Sequence, residues 1–126
     1  MIIAKSCDTD YKTSLSDGEH EIFADTPVRD GGKDEYMRPG TIFASGLAAC
    51  INITTRKLLN EEGIAFTDVT TYIDLDRSNP EKLTFRKKTV IEADISDEKK
   101  AEILARVERC PVCKMMTMPK EFLEME

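Results

Sequence analysis

Apolar residues fall on nearly every side of residues 42–53. Ile42, Phe43, Leu47, Ala48, Cys50, Ile51 and Ile53 cover almost the full circumference of a helix, so the pattern predicts a segment surrounded by protein. Small residues at Ala44, Ser45, Gly46, Ala48 and Ala49 allow neighbouring backbone to come close. Beyond Thr54 the pattern turns polar, with Arg56, Lys57, Asn60, Glu61 and Glu62 forming a wet outer half, and Gly63 is suited to the left-handed position that ends a helix. The whole predicts one helix from about residue 41 to 62, longer than the usual ~11–12 residues and able to cross a domain. Its apolar run is shorter than the ~18–20 residues a membrane span needs.

The flanking patterns predict strands and two further helices. Residues 1–7 read as a short strand. Residues 11–16 and 19–24 flank Asp17-Gly18, a strong hairpin signal. A polar loop from Asp25 to Arg38 carries Pro27, Gly31 and Gly32. Pro39 then suits the first helical position, with Thr41 as an alternative cap. After Gly63, Val69, Thr71, Ile73 and Leu75 alternate with polar residues, as do Leu83, Phe85, Thr89, Ile91 and Ala93; Ser78-Asn-Pro80 turns between the two runs. Ser96-Asp-Glu98 caps a helix reaching about Arg109, which Pro111 must end or follow with another. The tail from Lys120 to Glu126 is open to an edge strand. Without repeats, linkers or low-complexity runs, the order predicts one α+β domain over residues 1–126, with helices packed on antiparallel sheet.

Composition narrows the partners. Twenty-four acidic against 18 basic residues and a pI near 4.9 argue against a nucleic-acid footprint, and 6% aromatic residues without tryptophan argue against a base-stacking platform. Met1-Ile-Ile-Ala lacks the basic lead and long apolar core of a signal peptide. Four cysteines in such a chain are reactive, metal-binding or inert rather than a disulfide framework. The expectation is a cytoplasmic protein with a small-molecule partner, no membrane and no nucleic acid.

Among the cysteines, Cys110-Pro-Val-Cys113 is the informative pair. With Pro111 at the first helical position, Cys110 becomes the N-cap, where the helix dipole favours a thiolate. Cys113 lies one turn further on. For both, the plain alternative is a small buried hydrophobe, which is also how Cys50 reads on pattern alone; Cys7 on its terminal strand reads as bland. A thioredoxin-type site wants its Cys-x-x-Cys directly after a parallel strand, whereas here a helical stretch precedes it. Structural zinc wants a second pair, and only Cys7, Cys50 and His20 remain as scattered singles.

Taken together, Pro39-Gly-Thr-Ile-Phe-Ala-Ser-Gly-Leu-Ala-Ala-Cys50 and, sixty residues later, Cys110-Pro-Val resemble the OsmC/Ohr family of thiol peroxidases. Phe23-Ala-Asp-Thr-Pro-Val-Arg-Asp-Gly-Gly32 resembles that family's loop into its first long helix. The resemblance implies an intertwined homodimer, with two long central helices flanked by antiparallel sheets, that reduces organic hydroperoxides. It implies Cys50 as the peroxidatic thiol, which attacks the O–O bond and becomes a sulfenic acid. Cys110 would resolve it as a disulfide, and an external dithiol reductant would restore both thiols. No metal and no other cofactor is implied. The apolar surround of Cys50 would raise its pKa unless a cation lies nearby. The family supplies an arginine from the loop before the helix; Arg29 occupies that place here and Arg38 is a second candidate.

Two departures qualify this expectation. The family's glutamate immediately after the proline, which orients the arginine, is replaced by Gly40, leaving Glu35 or Asp34 as carboxylates that could reach in. Cys113 stands where a small polar or basic residue is usual, and could act as an alternative resolver, pair with Cys110, or do nothing. The expected activity is thiol-dependent hydroperoxide reduction by Cys50, Cys110 and Arg29. The alternatives are a small-molecule-binding or general thiol–disulfide protein using Cys110 and Cys113, and a metal-binding module.

Overall fold

In the computed structural model, which describes residues 1–126, the expected hairpin forms as part of a three-stranded antiparallel sheet. Its strands are β1 (Ile3–Ser6), β2 (Thr13–Ser16) and β3 (Glu21–Ala24), in the order β1-β2-β3. Ser16 pairs with Glu21 across a tight connection in which Gly18 takes φ +102°. The Asp17 carboxylate accepts the amides of Glu19 at 2.9 Å and His20 at 2.7 Å, so this side chain holds the turn closed. A short 3-10 turn, Val28–Asp30, follows in the loop, and then the long helix α1, Pro39–Glu61. Pro39 opens it as expected, and the Arg38 carbonyl accepts the Ile42 amide at 3.0 Å.

The end of α1 shows why Gly63 was needed. Ile64 donates to the Leu59 carbonyl at 2.9 Å and Gly63 to that of Asn60 at 3.0 Å, with Gly63 at φ +66°. This pair of bonds is a Schellman motif, and Ile64 packs on the core cluster that holds Leu59. The chain then forms a long hairpin of β4 (Asp68–Asn79) and β5 (Lys82–Glu92), turning at Pro80-Glu81. Ser96 caps α2 (Asp97–Val107) by accepting the Lys99 amide at 3.1 Å. Pro111 opens α3, Pro111–Thr117. No strand forms over residues 120–126, where Phe122 and Leu123 are exposed, so the edge strand left open by the sequence is absent.

The fold is α+β with antiparallel sheets. It consists of two compact units, Met1–Ser45 and Gly46–Glu126, with α1 running through the boundary. In the second unit, Leu59 of α1, Val69 of β4, Ile91 of β5 and Ile103 of α2 make one buried cluster. Leu59 and Ile103 are completely buried, each contributing about 1.5–3 kcal/mol through burial. Above this core, Glu62 bridges Lys99 at 2.7 Å and Arg106 at 2.6 Å, fastening the end of α1 to α2. These cations hold the Glu62 carboxyl below its ordinary range, Lys99 acting most strongly.

The expectation of a helix enclosed in its first half and wet in its second is corrected. One face of α1 is buried along its length in the second unit, through Leu47, Ile51, Thr55 and Leu59, while Gly46, Ala49 and Ile53 on the opposite face are exposed. Arg56, Lys57 and Asn60 are exposed as expected, but they share the outer half with buried Thr55 and Leu59. Leu83 of β5 is likewise exposed rather than inward, since it lies beside the hairpin turn.

Truncating Ile103 to alanine should lower the unfolding free energy by about 2–5 kcal/mol. Loss of the cap in Ser96→Ala should lower it by about 1 kcal/mol. Urea titration followed by circular dichroism reads both. Equal, small losses would mean that α2 does not complete the core.

Candidate active site

The second buried cluster is built around a sulfur. Leu47 and Ile51 of α1, Val107 at the end of α2 and Cys110 are all buried, and Cys50 and Cys113 pack against them. Cys50 precedes Ile51, so on the helix it lies at the margin between the buried face and the exposed one. Residues sixty positions apart in sequence thus supply one thiol cluster within the second unit.

The corner between α2 and α3 fixes Cys110. Arg109 and Cys110 donate to the carbonyls of Arg106 and Val107, turning the chain tightly at the helix end. Pro111, with no amide to place and φ preset for a helix, starts α3 immediately. Cys110 is therefore the N-cap, in extended geometry (φ −60°, ψ 150°), and its Sγ accepts the Cys113 amide at 3.4 Å. The Cys110 carbonyl accepts the Lys114 amide at 3.1 Å, closing the first turn.

The sequence placed Cys110 at this N-cap correctly but misjudged its ionisation. Cys110 is only 2% exposed. Burial pushes its thiol up from the ordinary value, and the side chain of Cys113 adds to the rise, while the Cys113 amide and the side chain of Cys50 oppose it. Withdrawal from water penalises a thiolate more than the end of a two-turn helix favours it. Burial thus favours the neutral form of Cys110, whose side chain interacts with those of Cys50 and Cys113. Cys50 and Cys113 are half-buried, so both remain within reach of solvent.

The remaining candidates lie in the first unit, on the loop between β3 and α1. Arg29, on the 3-10 turn, is 76% exposed and stands 3.9 Å from the Asp30 carboxylate. Arg38 stands 3.9 Å from Asp34. Glu35 contributes its amide, which donates to Asp25 at 3.3 Å. Asp25 itself was missed by the sequence reading. It is 4% exposed, and the Thr26 amide, at 2.7 Å, holds its carboxyl below the usual range. It gathers both ends of the loop, since its own amide donates to the Met37 carbonyl at 3.1 Å. The available signal was an acidic residue between a strand and Thr26-Pro27, where a short carboxylate closes a turn.

Two other features stiffen this loop. A Cβ on Gly32 would lie 2.1 Å from the Thr26 carbonyl oxygen, so only glycine permits this approach of backbone to backbone. Tyr36 packs on Phe23 with ring centroids 5.4 Å apart, and the Lys12 ammonium lies 4.5 Å from the Phe23 ring centre. Cys7, also in this unit, follows β1 and its amide donates to Lys12. His20 is exposed and paired with Asp17 at 3.2 Å. No group of three or more His, Cys, Asp or Glu side chains is placed to hold a metal ion, and no helix is long and apolar enough to cross a membrane.

A cleft of 410 Å³ lies between α2 and β5, lined by Lys87, Thr89, Leu104 and Glu108 with Ile51 and Val107 at its floor. Those last two residues belong also to the thiol cluster, so the cleft backs onto it. Lys87 and Glu108 close its rim with an ion pair at 3.1 Å.

Residues 32–122 match the family model described as OsmC-like protein. No curated protein matches the chain in sequence. Among solved structures, the chain is similar to an OsmC-like protein from Mycoplasma pneumoniae, with a TM-score of 0.77 and 21% identity over 92% of this chain and 85% of that one. It is similar also to an organic hydroperoxide resistance protein from Legionella pneumophila, with a TM-score of 0.60 and 24% identity over 93% and 89% of the two chains. A third likeness is to the organic hydroperoxide resistance protein OhrB of Bacillus subtilis, with a TM-score of 0.62 and 20% identity over 93% and 89%. At these identities the structures establish the shared fold.

The raised pKa of Cys110 has a sign that can be read in stability. Below the ordinary thiol range, about pH 8.5, folded and unfolded chains both keep this proton and the group contributes no pH dependence. Above it the unfolded thiol ionises while the folded one does not, so stability should fall as pH rises toward the folded pKa. Denaturant melts between pH 7 and 10, all on the reduced protein, should show this decline, and Cys110→Ala should flatten it. An identical slope in the variant would place the titration elsewhere.

Proposed function

The chain belongs to the family of OsmC-like proteins, and from that premise we propose that it is a thiol-dependent reductase of organic hydroperoxides. The observation that carries the proposal is the meeting of Cys50 and Cys110, whose side chains interact within one apolar cluster. Cys50 is the nucleophile: half-buried, it is open to a small molecule where Cys110 is not. Its thiolate attacks one peroxide oxygen, the O–O bond breaks, the alcohol departs and Cys50 becomes a sulfenic acid. The Cys110 thiol then attacks the Cys50 sulfur, water leaves, and a disulfide joins them. An external dithiol returns both to thiols by exchange. On the family resemblance we assign Arg29 the role of stabilising the Cys50 thiolate; Asp25 and Gly32 hold the loop that carries it in shape. Neither metal nor organic cofactor takes part.

The working form we propose is a homodimer. Gly46 stands exposed inside α1 with open space around its Cα, although glycine in a helix is less stable than alanine by about 1 kcal/mol. With Ala49 and a 45%-exposed Ile53 it makes a surface suited to close approach of a second helix. The strands β1 and β2 also bury none of their residues completely, which leaves a three-stranded sheet short of the packed face that independent stability requires.

Cumene hydroperoxide added at one equivalent to the reduced protein tests the chemistry. The wild type should lose two hydrogens per chain, peptide mapping of the earliest quenched samples should find Cys50 disulfide-linked, and Cys50→Ser should not react. Cys110→Ser should stop at a Cys50 sulfenic acid that dimedone captures. Arg29→Ala should slow the first step about 10²-fold, the usual size for one lost electrostatic donor. A wild type that leaves the peroxide intact would end the proposal.

The assembly is tested by sedimentation. Wild type should run as a dimer and Ile53→Asp should shift toward monomer, since a carboxylate would be buried unpaired. A monomeric wild type would remove the homodimer.

A further inference from the structure

The Cys110 side chain interacts with those of two other cysteines, and peroxide reduction by Cys50 and Cys110 uses only one of them. Resting on that reading of Cys50, we propose that Cys113 is a third redox-active thiol, which takes the disulfide over from Cys50 and presents it to the reductant.

The geometry carries this in three parts. First, Cys110 is the common neighbour: its side chain interacts with those of Cys50 and Cys113, and its Sγ already lies 3.4 Å from the Cys113 amide nitrogen. Thiol–disulfide exchange requires the incoming sulfur to reach the sulfur whose bond it breaks. A Cys50–Cys110 disulfide would keep its Cys110 end beside Cys113. Second, Cys110 is the N-cap of α3 and Cys113 lies in its first turn, so one short stretch of chain carries both thiols. Third, Cys110 is buried whereas Cys113 is half-buried. A bulky dithiol is excluded from the Cys110 sulfur but can approach Cys113.

The step balances without any added oxidant. Cys113 releases its proton to solvent, and its sulfur attacks the Cys110 sulfur. The Cys50–Cys110 bond breaks as the Cys110–Cys113 bond forms, and Cys50 leaves as a thiolate. Oxidation state is conserved, and Cys50 stands ready for a second peroxide before any reductant arrives. The external dithiol then attacks Cys113, displaces Cys110 as a thiol and carries the disulfide away.

The test is time-resolved acid quench and peptide mapping after one equivalent of cumene hydroperoxide, on wild type, Cys113→Ser and Cys50→Ser. In wild type a Cys50–Cys110 link should appear first and decay into Cys110–Cys113, leaving Cys50 open to alkylation. In Cys113→Ser the Cys50–Cys110 link should persist, and a second equivalent of peroxide should go unreduced. A wild type that stops at Cys50–Cys110, with Cys113 alkylated throughout, overturns the relay. So does a Cys110–Cys113 link that forms equally fast in Cys50→Ser.

Diamide oxidation separates this inference from the peroxidase reading, because it makes disulfides without peroxide. A protein inert to cumene hydroperoxide, yet yielding Cys110–Cys113 in wild type and Cys50–Cys110 in Cys113→Ser, would lose the peroxidase and keep the exchange. Diamide products that never include Cys113 would overturn the exchange itself.

Discussion

Everything in the second unit turns on keeping the Cys110 sulfur out of water while leaving its neighbours half in it. The sulfur is packed by Leu47 and Ile51 from α1 and by Val107 from α2, so α1 and α2, which meet in the main core through Leu59 and Ile103, also enclose the thiol cluster. The same burial that positions Cys110 pushes its thiol pKa up and so favours the neutral form. A protonated, shielded thiol is a poor first nucleophile and a protected second one. Burial thus separates the two thiols, with Cys110 sealed and Cys50 half-open.

Helix α1 makes that division possible because it has two apolar faces with different destinations. Leu47, Ile51, Thr55 and Leu59 recur at four-residue intervals and bury themselves against the chain's own core. Gly46, Ala49 and Ile53 form the opposite face and stay open. Cys50 lies at the margin between them. A deeper position would seal its sulfur away, and a shift to the outer face would remove it from Cys110. The single residue step from Ile51 to Cys50 sets this thiol at the boundary between the buried face and the open one.

How much of this was legible in the chain depends on the range of the interactions concerned. Local signals were reliable: Asp17-Gly18, Pro39, Gly63, Ser96 and Pro111 each mark a turn, start or stop that the structure uses, since these residues act on their own backbone. The placement of Cys110 at an N-cap was equally local. Its ionisation was not, because burial is decided by α1 and α2, and no reading of residues 108–114 contains them. The full apolar circumference of residues 42–53 was visible, but not which side the chain would cover by itself. Asp25 escaped because its partners, Thr26, Glu35 and Met37, span a loop of irregular backbone with no periodicity to betray it.

The replacement of the family's glutamate by Gly40 takes a different weight once the loop is seen. A carboxylate at the start of α1 would orient an arginine from outside the loop. Here the carboxylates come from within it: Asp30 stands beside Arg29 and Asp34 beside Arg38, each 3.9 Å away. At that separation, and with both arginines exposed, neither pair is a tight bidentate clamp. The order of the loop comes instead from its backbone, through the buried Asp25, the close approach at Gly32 and the aromatic pair beneath Lys12. A rigid turn fixes where each arginine leaves the loop, while the exposed guanidinium groups stay ungripped by a tight carboxylate clamp. Without that glutamate the loop stays ordered, while its two arginines have only these looser carboxylate neighbours.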